Sequence, residues 1–97
     1  MPAITDIGTI IVRSPETCGG RPRIAGMRVS VQAIAALYKD GMNAEEIAEE
    51  FSFLSLAQVY AALTYYHANQ EEIEQYLAEE KAEYERLEME YIAGNFL

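Results

Sequence analysis

The sequence predicts a mainly α fold, in which a three-helix core of helix-turn-helix type follows a short N-terminal β-hairpin and precedes a long C-terminal helix. Three observations predict it. Apolar residues recur at helical spacing in three successive segments between residues 30 and 68. Each of those segments opens on a side chain suited to cap a helix: Ser30, Asn43 or Ser55. Residues 71–91 contain neither glycine nor proline and are rich in helix formers.

The hairpin comes first. Thr9-Ile-Ile-Val12 is β-branched throughout and reads as a strand that Ser14-Pro15 ends. Residues 16–20 read as a loop or turn. Pro22 cannot donate to a ladder and pushes Arg21 out of helical geometry, so residues 23–29 are extended at best, with Gly26 allowing a tight turn. A ribbon of residues 9–13 and 23–29 is marginal alone and must pack on the helices or on a second chain.

Ser30 opens the first helix, whose apolar stripe is Val31, Ile34, Ala35, Leu37 and Tyr38, and Gly41 closes it. Asn43-Ala-Glu-Glu46 is a capping-box pattern for a short second helix burying Ile47, Ala48 and Phe51, with acids on its other face. Ser55-Leu-Ala-Gln58 is another such pattern, and it opens a third helix with Leu56, Val59, Tyr60, Leu63 and Tyr66 as its stripe. The connection of about four residues between the second and third helices is that of a helix-turn-helix, so the expected core is homeodomain-like or winged-helix-like. Residues 1–69 then form the β-element and helical domain, and residues 70–97 an acidic helix ended by Gly94 with the tail Asn95-Phe96-Leu97. On that helix Ile73, Leu77, Tyr84, Leu87 and Tyr91 form a stripe with Glu80 in its middle position. One thin stripe cannot hold a helix in water, so these five are candidate partner-binding residues, for the core or another chain.

Charge divides the chain. The net charge is −9, yet residues 1–39 carry five basic and two acidic side chains, while residues 40–97 carry two basic and fourteen acidic ones. That balance disfavours non-specific nucleic-acid binding, which depends on releasing counterions from phosphate. The basic third concentrates Arg13, Arg21, Arg23 and Arg28, the candidate phosphate contacts, and a dimer would present eight guanidiniums on two ribbons. The competing reading is that these arginines pair with the chain's own acids, since arginine favours bidentate carboxylates. On the third helix the base-facing candidates are Ala57, Gln58, Ala61 and Thr64. Gln58 suits adenine, but no lysine or arginine lies between residues 40 and 80 to meet phosphate.

Cys18 is the sole cysteine and His67 the sole histidine, so neither a disulfide nor a cysteine-rich metal site is expected, and no cofactor motif is present. No nucleophile, base and acid fall into a catalytic pattern, which predicts that the chain is not an enzyme. Neither a signal peptide nor a membrane-spanning run is found, and together with the free cysteine this points to the cytoplasm.

The pattern Gly20-x-Pro22-x-Ile24-x-Gly26-x-Arg28-Val29-x-Val31 resembles the opening of the bacterial family called domain of unknown function 433. The match continues through Leu37, Gly41, Glu45-Glu46-Ile47, Phe51, Leu54-Ser55, Val59 and Ala61-Ala62-Leu63-x-Tyr65-Tyr66, over residues 10–68. The chain departs from the family at Ser52-Phe53, where members often carry Tyr-Pro, at Met27, where threonine is frequent, and at Gln58, where an acid is common. The resemblance implies a small helix-turn-helix protein behind a β-element, without enzymatic activity. It also implies the antitoxin half of a toxin–antitoxin pair, whose partner is a PIN-like ribonuclease; its own operator DNA is a candidate second ligand, on the arginines and Gln58 named above. A homodimer accompanies that picture. The alternatives are a DNA-binding regulator without a toxin and a structural protein–protein interaction module.

Overall fold

A computed structural model describes residues 9–94; the predicted tail Asn95-Phe96-Leu97 lies outside the described residues. Strand β1 (Ile11–Val12) pairs antiparallel with β2 (Arg23–Ile24), Ile11 opposite Ile24 and Val12 opposite Arg23. The ribbon is shorter than the predicted strand from Thr9. Thr9 and Ile10 are in a turn ahead of β1, Pro15 and Pro22 sit in the connection after β1 and before β2, where neither can donate to a ladder, and residues 18–20 wind into a 3-10 turn between the strands. After β2 the chain reverses through Gly26 at φ 77°, and Ile24 and Val29 close the loop with a backbone hydrogen bond of 2.9 Å.

Four helices follow: α1 (Val31–Lys39), α2 (Ala44–Glu50), α3 (Leu56–Ala68) and α4 (Gln70–Ile92). Every predicted cap is made. Ser30 Oγ accepts from the Ala33 amide at 3.2 Å, and Asn43 with Glu46 and Ser55 with Gln58 form complete capping boxes. Helix α1 ends in a Schellman turn: Met42 N–H donates to Leu37 O at 3.2 Å and Gly41 N–H to Tyr38 O at 3.0 Å, with Gly41 at φ 101°. A Cβ at Gly41 would meet no neighbour, so its requirement for glycine is conformational. Replacing Asn43 by alanine removes the acceptor for the Glu46 amide and is expected to cost about 1 kcal/mol, measured by urea denaturation.

The core gathers Ile24 and Val29 from the ribbon, Val31, Ile34 and Ala35 from α1, Ile47 from α2, and Val59, Ala62, Leu63 and Tyr66 from α3. Two expectations about its faces need correction. Leu56 and Tyr60, placed in the third-helix stripe, are 40% and 50% exposed, and the arc around Ala61, Ala62 and Leu63 is buried in their place. The alanines let α3 seat closely against its neighbours, whereas periodicity alone does not say which arc of an apolar helix turns inward. Ala61, counted among base-facing candidates, is therefore inaccessible.

The core also runs past residue 69. Ile73 is fully buried in it and Leu77 packs against it, so the first half of α4 completes the helical body and the second half extends away. The molecule measures 60 × 29 × 25 Å, as a 23-residue helix of about 34 Å partly overhanging its support requires. Among the described residues, no helix is long and apolar enough to cross a membrane.

Candidate functional site

Where the arginines go decides which surface remains for a ligand. Arg13, just past β1, reaches Glu72 on α4 in an ion pair and donates to Tyr65 Oη at 2.7 Å. The same Glu72 carboxylate accepts from Tyr65 at 3.0 Å and from Tyr76 at 2.7 Å. Arg21 lies over the Tyr76 ring, 4.5 Å from its centroid, and pairs with Glu79 at 3.1 Å and Glu80 at 3.6 Å. Arg23 turns inward, donating to Ser14 Oγ at 2.8 Å and to the carbonyls of Met27 and Ile24 at 3.1 and 3.3 Å. Arg13 and Arg28 are the exposed ones of the four, and of these two Arg28 makes no ion pair among the described residues. Gln58, on the third helix, is half-buried, and its Oε1 accepts from the Ser55 amide at 2.8 Å.

The proximal half of α4 is thus strapped to the body from both sides. Lys39, at the end of α1, pairs with Glu74, and Tyr66 donates to the same carboxylate at 2.5 Å. Gln32 on α1, only 4% exposed, donates from Nε2 to Glu80 at 3.0 Å. That contact explains why an acid interrupts the α4 stripe: Glu80 faces Gln32 and Arg21, where an apolar side chain would leave the buried Gln32 amide unmet and Arg21 with Glu79 as its one carboxylate among the described residues.

The electrostatics of the strap have a definite sign. Burial pushes the Glu72 carboxyl up, but hydrogen bonds from Tyr76, Arg13 and Tyr65 together outweigh it and hold the group below its ordinary value of 4.5. Lys39, then Tyr66, hold Glu74 down in the same way. Conversely Glu74 raises Lys39, and the Glu72 pair raises Arg13. Burial, then Glu72, raises Tyr65, and Glu74 raises Tyr66, so at neutral pH both phenols remain donors. A depressed carboxylate contributes stability that is complete above its ordinary value of 4.5 and is lost as pH falls through the depressed one. Lys39 contributes below its ordinary 10.5 and loses that contribution as pH rises through its raised value. Stability toward urea is therefore expected to fall as pH drops below the ordinary carboxylate value of 4.5, and a Glu72→Gln variant, which lacks one of the strap's two depressed carboxylates, should show a smaller drop.

Residues 11–66, more than half of the chain, match the model of a family described as Protein of unknown function (DUF433). The chain belongs to this family. A crystal structure of a DUF433 member protein from Anabaena variabilis ATCC 29413 superimposes with a TM-score of 0.67 at 30% identity, covering 72% of this chain and 69% of that one. No curated protein matches the chain. The DUF433 match ends at residue 66, inside α3, so the ribbon and helices α1 to α3 carry the family pattern and α4 lies beyond it. Within the matched region, Arg21, Arg23 and Arg28 do three different things: one holds α4, one supports the ribbon and one faces solvent.

What stays open on the DUF433 domain is the α2–α3 connection. Phe53 is 58% exposed and stacks edge-on to Phe51 with ring centroids 6.1 Å apart. Leu56 and Tyr60 follow one turn apart on the outer side of α3. Glu45, Glu49 and Glu50 of α2 are exposed and make no ion pair among the described residues. Of the five stripe residues on α4, Ile73 and Leu77 are spent on the body, while Tyr84, Leu87 and Tyr91 are exposed on its overhanging half. Gln32 and Tyr76 escaped the sequence reading, and for Tyr65 and Tyr66 it missed the carboxylates their hydroxyls meet, because those partners lie on another element.

Proposed function

We propose that this DUF433 chain is a non-enzymatic protein-binding module, the antitoxin half of a toxin–antitoxin pair acting in the cytoplasm, with a basic PIN-like ribonuclease as its partner. The reading is carried by one observation: at the α2–α3 connection the exposed apolar side chains Phe53, Leu56 and Tyr60 adjoin the uncompensated carboxylates Glu45, Glu49 and Glu50. An exposed aromatic patch rimmed by charge is suited to a protein partner. A ribonuclease must hold RNA phosphates on a basic path, and an acidic rim complements such a surface and speeds encounter with it.

Operator binding fares less well on the same surface. Phosphate affinity grows with the number of cations released from the duplex. Arg13 and Arg21 are occupied by carboxylates and Arg23 by the ribbon, which leaves Arg28 as the one of the four that is both exposed and outside an ion pair among the described residues. The test is affinity capture of the tagged full chain from its native host. A stoichiometric basic ribonuclease is expected; a bait that returns without a stoichiometric protein contradicts the reading.

A further inference from the structure

We propose that the overhanging half of α4 pairs with the same segment of a second copy of this chain, as an antiparallel two-helix seam centred between Tyr84 and Leu87. Ile73, Leu77, Glu80, Tyr84, Leu87 and Tyr91 alternate at spacings of four and three, the repeat of a helix seam that packs along its whole length. The body covers Ile73 and Leu77, and Glu80 lies at its edge, bonded to Gln32 and paired with Arg21. Beyond it, Tyr84 and Leu87 are 70% and 42% exposed, and Tyr91 is 73% exposed on the same line. Met89 and Ile92 are also exposed but lie off that line.

Charge selects both the occupant and its direction. Lys81 and Glu88 flank the seam on one edge, and neither makes an ion pair among the described residues. Setting Tyr84 against Leu87 of the second copy, antiparallel, brings Lys81 of each chain to Glu88 of the other. The register satisfies both unpaired charges twice. On the opposite edge Glu83 meets Glu90, but Arg86 already neutralises part of both within its own chain, at 2.5 and 2.6 Å. A parallel pair would set Glu83 against Glu88 with no cation to offset them. The antiparallel register also lays Tyr91 of the second copy opposite Glu80, over the cavity lined by Arg21, Glu80, Glu83 and Leu87, so the new seam continues from the protein's own core. An overlap from Glu80 to Tyr91 is about 18 Å long, which places the dimer among small, weak interfaces.

The inference stands apart from the ribonuclease reading, since the two use different surfaces, and its test needs only the full chain. Sedimentation equilibrium at about 100 µM, where a small interface of this kind is occupied, should give a dimer. Lys81→Glu and Glu88→Lys should each weaken it about tenfold, because each turns two attractive contacts into repulsive ones. The double variant Lys81→Glu/Glu88→Lys should recover most of that loss. Within one helix these residues are two turns apart, about 10 Å along the axis, so the recovery can only come from between chains. Leu87→Asp, at an exposed site that leaves the helical body intact by circular dichroism, should give a monomer. A monomeric wild type overturns the proposal, as does a dimer indifferent to Leu87→Asp or a charge swap that fails to restore association.

Discussion

Ile73→Ala is expected to lower the stability of the entire protein by about 2–5 kcal/mol, the range for emptying a buried isoleucine site. Ile73 lies outside the matched family region, yet it is fully buried among residues of the ribbon and the first three helices. Loss of its side chain leaves a cavity at the point where α4 leaves α3, and the cost falls on the common core. The strap cannot compensate. Its ion pairs are half-exposed, and such pairs contribute roughly 0–1 kcal/mol each. The comparison that matters is with Arg13→Ala, expected to cost under about 1 kcal/mol in urea denaturation, and with Lys39→Ala, at a solvent-screened pair, expected to change it little. If Ile73→Ala were no more damaging than those, α4 would be an appendage and not part of the body. A small domain has little stability to spare, so the Ile73 variant should be substantially unfolded at 37 °C.

The second large effect concerns binding. Glu45→Lys/Glu49→Lys/Glu50→Lys reverses three exposed carboxylates that make no ion pair among the described residues. It breaks no ion pair and no core contact among the described residues; a lysine at 45 opposes the dipole in the first turn of α2, which the Asn43–Glu46 capping box keeps anchored, and circular dichroism checks that the fold is retained. Toward a basic partner the reversal replaces attraction by repulsion, and an affinity loss of about 100-fold or more is expected, largest at low salt. Phe53→Ala with Tyr60→Ala removes the apolar part of the patch and should lose at least about tenfold, with little dependence on salt. The two salt responses separate the roles of rim and patch. Reversal of Glu71 and Glu85, exposed carboxylates on α4 outside the patch, serves as the control and should change affinity by less than about threefold.

Much of this was written in the sequence where the cause is local. Ser30, Asn43 and Ser55 cap the helices because a cap needs only its own next three residues, and Gly41 ends α1 because one left-handed residue suffices. What depends on distant partners was not legible. Gln32 and Glu80 are 48 residues apart and Arg13 and Glu72 are 59 apart. Each looks like an ordinary surface side chain until the fold brings them together. Glu80 was visible as an interruption of the stripe, and only Gln32 and Arg21 say why it stands there. Leu56 and Tyr60 illustrate a different ambiguity: on a helix apolar around most of its girth, Ala61 and Ala62 face inward by closeness of approach, a property of the pair of surfaces and not of either sequence. With Leu56 and Tyr60 turned outward, the third helix presents apolar side chains on its solvent face.

Affinity capture from the native host, run in parallel with the wild-type chain and with Glu45→Lys/Glu49→Lys/Glu50→Lys, tests the ribonuclease reading most directly. The account predicts a basic ribonuclease at one-to-one stoichiometry on the wild-type bait and its loss from the variant. Capture of nucleic acid in place of protein, or equal recovery of the partner on both baits, would contradict it.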